Sequence, residues 1–154
     1  MISDVIISIY NGYENKSHVI NYLLKRNYYD CCLKGGTDHS EQSSVYQGKK
    51  IILKIIPICI LSSIPCLIGI GGQINIELLN SEIKLLTKLN IDIHKLLYID
   101  ENATIIHKDS KLTYGDIHFL KLKTILSNTP IKTSINNFLL YYNHPIYEGA
   151  NGFY

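Results

Sequence analysis

The sequence predicts an α/β fold, a mostly parallel sheet flanked by helices, and three observations carry that expectation. Short runs rich in β-branched residues alternate with segments of helical periodicity along the chain. The opening run DVIISIY, residues 4–10, passes through a tight loop into a helix-patterned segment, a strand–loop–helix unit. Residues Ile76–Leu89 show a clear amphipathic stripe. At 154 residues the chain suits a single domain, 1–154, around one buried core.

Taken in order, residues 4–10 read as a buried strand bounded by the turn-forming pair Asn11-Gly12. From Lys16 to Arg26 the apolar residues Val19, Ile20, Leu23 and Leu24 recur at helical spacing. The polar stretch GGTDHSEQSS, residues 35–44, reads as a loop. Strands are expected around Ile51–Ile56 and Cys66–Ile70, then a turn at Gly69, Gly71 and Gly72. In the helix Ile76–Leu89, Leu78, Leu79, Ile83, Leu85, Leu86 and Leu89 are set to bury, while Glu77, Glu82, Lys84 and Lys88 face water. Short strands near Leu96–Ile99 and Thr104–His107 follow. Residues 113–142 read as one or two helices divided at Pro130, and Pro145-Ile146-Tyr147 leads into EGANG, residues 148–152, as a turn.

Composition narrows the function classes. Apolar residues at 46% with a mean hydropathy of +0.06 fit a globular protein and not a disordered one. Fifteen basic against thirteen acidic residues leave a charge of +2 with no long run of either sign, which argues against a nucleic-acid binder. The cysteines Cys31, Cys32, Cys59 and Cys66 match no familiar metal spacing, and the opening residues do not read as a signal peptide. They are expected to be buried thiols in a reducing, cytoplasmic setting. Residues 51–70 approach the ~20 apolar residues of a membrane helix. Lys54, Pro57, Pro65 and Ser62-Ser63 interrupt that run, so two buried strands joined by a turn are expected instead, and no membrane partner.

The loop NGYENKS, residues 11–17, lies between a strand and a helix start. Free backbone N–H groups and the helix dipole favour an anion there. A phosphate loop needs glycines for close approach, and this one keeps only Gly12, with Asn15 before Lys16. Local pattern alone leaves both a phosphate site and an ordinary strand-to-helix turn open.

Five segments in order resemble the adenylosuccinate synthetase family. DVIISIYNGYENKSHVINYLL is similar to a strand leading into Q-W-G-D-E-G-K-G-K and an I-V-D-Y-L helix. KGGTDHSEQ resembles Q-G-G-N-N-A-G-H-T, and GKKIILKIIPICIL resembles G-K-K-Y-V-L-H-L-I-P-S-G-I-L. CLIGIGGQINIELLNSEI is similar to C-V-I-G-N-G-V-V-V-D-P-x-x-L-x-x-E-I, and IYEGANG to L-F-E-G-A-Q-G. The resemblance implies a cut-down version of that P-loop-like fold, with residues 109–144 as a shortened helical bridge. It marks Gly12, Asn15, Lys16, Ser17, Gly35, Gly36, Thr37, Asp38 and Asn151 as candidate nucleotide contacts.

The same comparison of motifs implies lost chemistry. Tyr13 stands where the family has its general-base aspartate, and a phenol is a poor replacement for a carboxylate at neutral pH. Glu41 stands at the general-acid histidine and Gln42 at the following threonine, with His39 two residues away. Glu41 in a polar loop is expected to be a solvated anion. Asn15 and Ser17 replace the glycines flanking Lys16, His18 replaces the second lysine, and Asn75 stands at an aspartate. No catalytic residue and no metal site are therefore assigned, and magnesium and GTP are implied only if ligation survives. Three functions follow: an inactive relative reused to bind another protein or itself, a purine-nucleotide binder, or a residual ligase joining IMP to aspartate at the expense of GTP.

Overall fold

The computed structural model describes residues 3–8, 16–26, 28–35, 41–69, 73–107, 110–113 and 131–151. In chain order these form β1 (Asp4–Ser8), α1 (Lys16–Arg26), β2 (Cys31–Lys34), β3 (Gln42–Tyr46) and β4 (Lys49–Leu53). A 3-10 helix, Ile58–Ser62, precedes β5 (Cys66–Ile68), β6 (Gln73–Asn75), α2 (Ile76–Lys88) and α3 (Ile93–Leu96). The remainder is β7 (Leu97–Asp100), β8 (Thr104–His107), β9 (Ser110–Thr113), β10 (Ile131–Thr133), α4 (Ile135–Leu139) and β11 (Pro145–Asn151).

The central sheet has six strands in the order β1-β11-β2-β5-β7-β10, and every neighbouring pair is parallel. This is the mostly parallel α/β architecture expected from the alternation of strands and helices. Side chains alternate across it as the pleat requires. Cys32, Cys66, Ile68, Ile99 and Ile146 face a large core that also holds Ile20 of α1 and Leu79, Ile83 and Leu86 of α2. Cys31, Leu33 and Leu67 face a smaller one, covered by Phe138 of α4. Helix α1 spans Lys16–Arg26 as its periodicity predicts, with Ile20 fully buried. Helix α2 closes one residue earlier than expected, with Leu89 as its C-cap.

Several expectations are corrected. The first strand is not buried. It lies at the sheet edge, with Val5 57% and Ile7 56% exposed while Ile6 packs inward. Residues 42–44 are not loop, because Gln42, Ser43 and Ser44 pair antiparallel with Leu53, Ile52 and Ile51. The two-residue turn Gln47-Gly48, both at positive φ, matches the twist of a tight hairpin and closes β3 onto β4. Thus β4 belongs to a separate hairpin and not to the main sheet. The link from β4 to β5 contains the 3-10 helix between Pro57 and the left-handed Ser63. No described helix is long and apolar enough to cross a membrane.

Ile131–Thr133, expected to be helical, is a strand because it pairs in parallel with Tyr98–Asp100. Within 109–144 the described residues hold β9, β10 and the short α4, while residues 114–130 of the expected helical bridge lie outside the described residues. EGANG does not begin as a turn, since Glu148–Asn151 continue β11 between β1 and β2. Thr104–His107 forms β8 as expected, but in a three-stranded sheet of order β6-β8-β9. The turn at Gly71 and Gly72 lies outside the described residues.

Candidate functional site

In an open parallel sheet, ligands bind beyond the carboxyl ends of the strands. Several predicted residues gather there. Lys16 and Ser17 open α1 after the β1 loop, and both are buried. Gly35 follows the last residue of β2, and its N–H donates to the Glu148 carbonyl at 3.1 Å. Asn151 pairs in register with Ser8, which brings the backbone of β11 to the mouth of the first loop. Gly12, Tyr13, Asn15, Gly36, Thr37, Asp38 and His39 lie outside the described residues.

The glycines here have packing reasons. A Cβ on Gly35 would meet the Tyr147 hydroxyl at 2.5 Å, and one on Gly149 would meet Ile7 Cγ2 at 2.6 Å. Both positions let a neighbouring side chain lie across the strand ends. Lys16 reaches over this surface, and its Nζ donates to the Gly149 carbonyl at 3.0 Å. Glu41 behaves as the sequence leads one to expect. Its side chain is 60% exposed, and Oε1 lies 3.1 Å from Lys54 Nζ.

Charged residues that periodicity assigns to solvent, or passes over, are buried behind this site. Glu82 is the main correction: it is 5% exposed, not solvated. Its Oε1 accepts from Lys54 N at 2.6 Å and Ile55 N at 3.2 Å, and its Oε2 from Ile56 N at 2.9 Å. Burial raises the Glu82 carboxyl above its ordinary range, opposed by these backbone donors and by nearby Lys34. Lys34 is itself buried, and its Nζ donates to the Lys54 carbonyl at 2.6 Å. Lys54 therefore joins three partners, Glu82, Lys34 and Glu41, through its N–H, carbonyl and ammonium.

Gln42 and Glu148 form a second buried pair. Gln42 Nε2 donates to Glu148 Oε1, while Gln42 Oε1 accepts from Ile58 N at 2.8 Å. Glu148 Oε2 is buried with no hydrogen-bond partner among the described residues. Asp100, fully buried at the end of β7, accepts from Asn102 N at 2.8 Å and from Ile135 N at 2.7 Å, tying α4 to the sheet. The quoted motifs contained Lys34, Gln42, Glu82 and Glu148. The signal that could have found the buried ones is a charged residue inside an otherwise apolar motif.

All four thiols are buried and free. Burial pushes Cys31 up to about 12, with Asp30 adding to it. Burial likewise holds Cys32 and Cys66 up, and Cys59 is raised first by its contact with the Cys32 thiol. Asn75, which stands at an aspartate of the family, has a local structural task. It is the N-cap of α2, its Oδ1 accepting from Leu78 N at 3.0 Å, a task Asp and Asn perform alike. Among the described residues no group of three His, Cys, Asp or Glu side chains could hold a metal ion, and the first loop, where the resemblance places the magnesium contacts, lies outside them.

Fold and site together define a parallel-sheet α/β protein with buried polar residues gathered at the carboxyl ends of its strands. Residues 5–113 match the family model described as adenylosuccinate synthetase, and the chain belongs to that family. The adenylosuccinate synthetase of Endomicrobium trichonymphae is 35% identical over 112 residues, 72% of this chain but 26% of that one. That of Paraburkholderia phymatum is 31% identical over 103 residues, covering 66% and 23%. The chain's matches therefore span about a quarter of these relatives' length. Among solved structures, the succinoaminodeoxyadenylate synthetase (PurZ) of cyanophage S-2L, bound to dGMP and dATP, superposes with a TM-score of 0.74 at 15% identity. The superposition covers 97% of this chain and 51% of that one, and it shows the shared fold.

Proposed function

We propose that this chain is an adenylosuccinate synthetase-like protein that no longer performs the ligation and acts in a binding role, associating with another protein or with a second copy of itself. Glu41 carries this reading. It holds the general-acid position, yet its exposed carboxylate is drawn to the Lys54 ammonium. A side chain engaged by a surface lysine is not held in the enclosed, hydrogen-bonded setting that a general acid requires. The approach of Lys16 to a backbone carbonyl supports the same reading, because a phosphate-binding ammonium works as a point charge on the ligand. Association is supported by the edge strand β1, where Val5 and Ile7 are exposed on one face. Such edges pair readily with further strands.

A coupled assay with IMP, aspartate, GTP and magnesium is expected to give no adenylosuccinate above background, and unaided turnover sinks the reading. Light scattering after size exclusion is expected to show an oligomer or a partner complex. A monomer that captures no partner removes the associating role.

A second reading, purine-nucleotide binding without turnover, is favoured by Glu148. A buried acceptor that has no partner among the described residues is costly, and an N–H of a bound base would satisfy Oε2. Calorimetric titration with IMP, AMP, GTP and their deoxy forms tests it, with Glu148→Gln expected to weaken any binding. No heat at millimolar ligand removes this reading.

A further inference from the structure

A concavity lies between α1 and the β3–β4 hairpin, with Leu61 and Ser62 of the 3-10 helix at one side. Its volume is about 640 Å³, and small-molecule sites span roughly 300–1,000 Å³. Its polar wall is of one sign. His18 and Lys25 enter from α1 and Lys50 from β4, and among the described residues no carboxylate lines it. Neither lysine belongs to the ion pairs that join Lys54 to Glu41 and Lys95 to Asp92. By contrast, the cations near the strand ends all engage oxygens: Lys16 and Lys34 meet carbonyls, and Lys54 meets Glu41.

Gathering cations in a concave wall raises the local potential and favours an anion there. Besides the Asn21 amide, which donates to the Ser43 carbonyl, the remainder of the wall is of two kinds. Ser43, Ser44 and Ser62 contribute hydroxyl groups, while Tyr46, Leu24 and Leu61 contribute aromatic and apolar surface. Cation and hydroxyl donors suit phosphate oxygens, and the apolar portion suits a ring or hydrocarbon body.

We propose that this groove binds a small organic phosphate of mononucleotide size, its phosphate against Lys25, Lys50 and His18 and its planar body against Tyr46 and Leu61. None of Lys16, Ser17, Gly35 or Glu148 lines it, so the site stands or falls independently of the residues gathered at the strand ends.

The test uses the full chain with AMP and with inorganic pyrophosphate as probes, followed by calorimetry and by amide shifts in NMR. The expected result is AMP binding that shifts amides within 18–25 and 43–50. It should weaken by about tenfold or more in Lys25→Glu/Lys50→Glu. Should charge reversal disturb folding, Lys25→Gln/Lys50→Gln with the wild-type shift map decides instead. The proposal is overturned if AMP shifts centre on 16–17, 34–35 and 148–149, or if neutralising both lysines leaves affinity unchanged. Absence of binding at millimolar AMP overturns it as well. Pyrophosphate binding as tightly as AMP overturns the organic-phosphate assignment, since the apolar wall would then contribute nothing.

Discussion

Glu82 occupies a helix position that periodicity alone gives to water, yet its carboxylate receives three consecutive backbone N–H groups from residues 54–56. Those donors sit where β4 ends and no strand partner takes them, so they need an acceptor from elsewhere in the fold. Glu82→Ala strands them, and urea denaturation is expected to show a loss of about 2–4 kcal/mol. The carboxyl is raised from 4.5, chiefly by burial. The native state therefore holds its proton more tightly than the unfolded chain does. That contribution is fully present below the unfolded value and is lost as pH rises through the folded one. The stability gap between wild type and Glu82→Gln should narrow from pH 4 towards neutrality; a gap that widens contradicts the shift. Gly35 offers a second residue-scale test. Gly35→Ala places a methyl against the Tyr147 hydroxyl, so Tyr147→Phe should recover part of the loss, with a coupling of about 1 kcal/mol. Strict additivity would mean the hydroxyl is not the obstacle.

At the scale of elements, helices were the most legible. The spacing of Ile20, Leu23 and Leu24 marked α1, and that of Leu79, Ile83 and Leu86 marked α2, because each buries one stripe against the sheet. Strands were legible in existence and less so in partnership. Gln42-Ser43-Ser44 carries no apolar alternation, and only the hairpin with β4 makes it a strand. The same holds for Ile131–Thr133 beside β7 and for the glycine-bearing end of β11 between two parallel neighbours. Caps act locally and can be checked locally. Asn75→Ala removes the acceptor for Leu78 N and is expected to cost about 1 kcal/mol. Asn75→Asp should be neutral or slightly stabilising, since a carboxylate suits a helix N-terminus. A large loss in Asn75→Asp, measured by thermal melting, would show that the amide has another task.

For the molecule as a whole, the four buried thiols give a global probe. Raised by burial and shielded from solvent, they should resist alkylation in the folded state and react together after denaturation. Fast labelling of any one under native conditions would locate a local opening of the core. The two ends of the main sheet differ from its middle. Val5 and Ile7 are exposed at β1, and Ile131 is partly exposed at β10, whereas Leu67 and Leu97 on the inner strands are fully buried. If association runs through β1, Ile7→Lys should shift the light-scattering mass towards the monomer while leaving the melting temperature near that of wild type.

By itself the sequence determined the α/β class, the two principal helices, the family and the exposed state of Glu41, because each rests on local periodicity or on short contiguous motifs. Tertiary structure alone decided that β1 is an edge, that Glu82, Lys34 and Glu148 are buried, and that Asn75 is a cap. Burial of a charged group depends on which distant backbone amides and carbonyls come to face it. Those partners are set by packing between segments tens of residues apart, so no local pattern contains them.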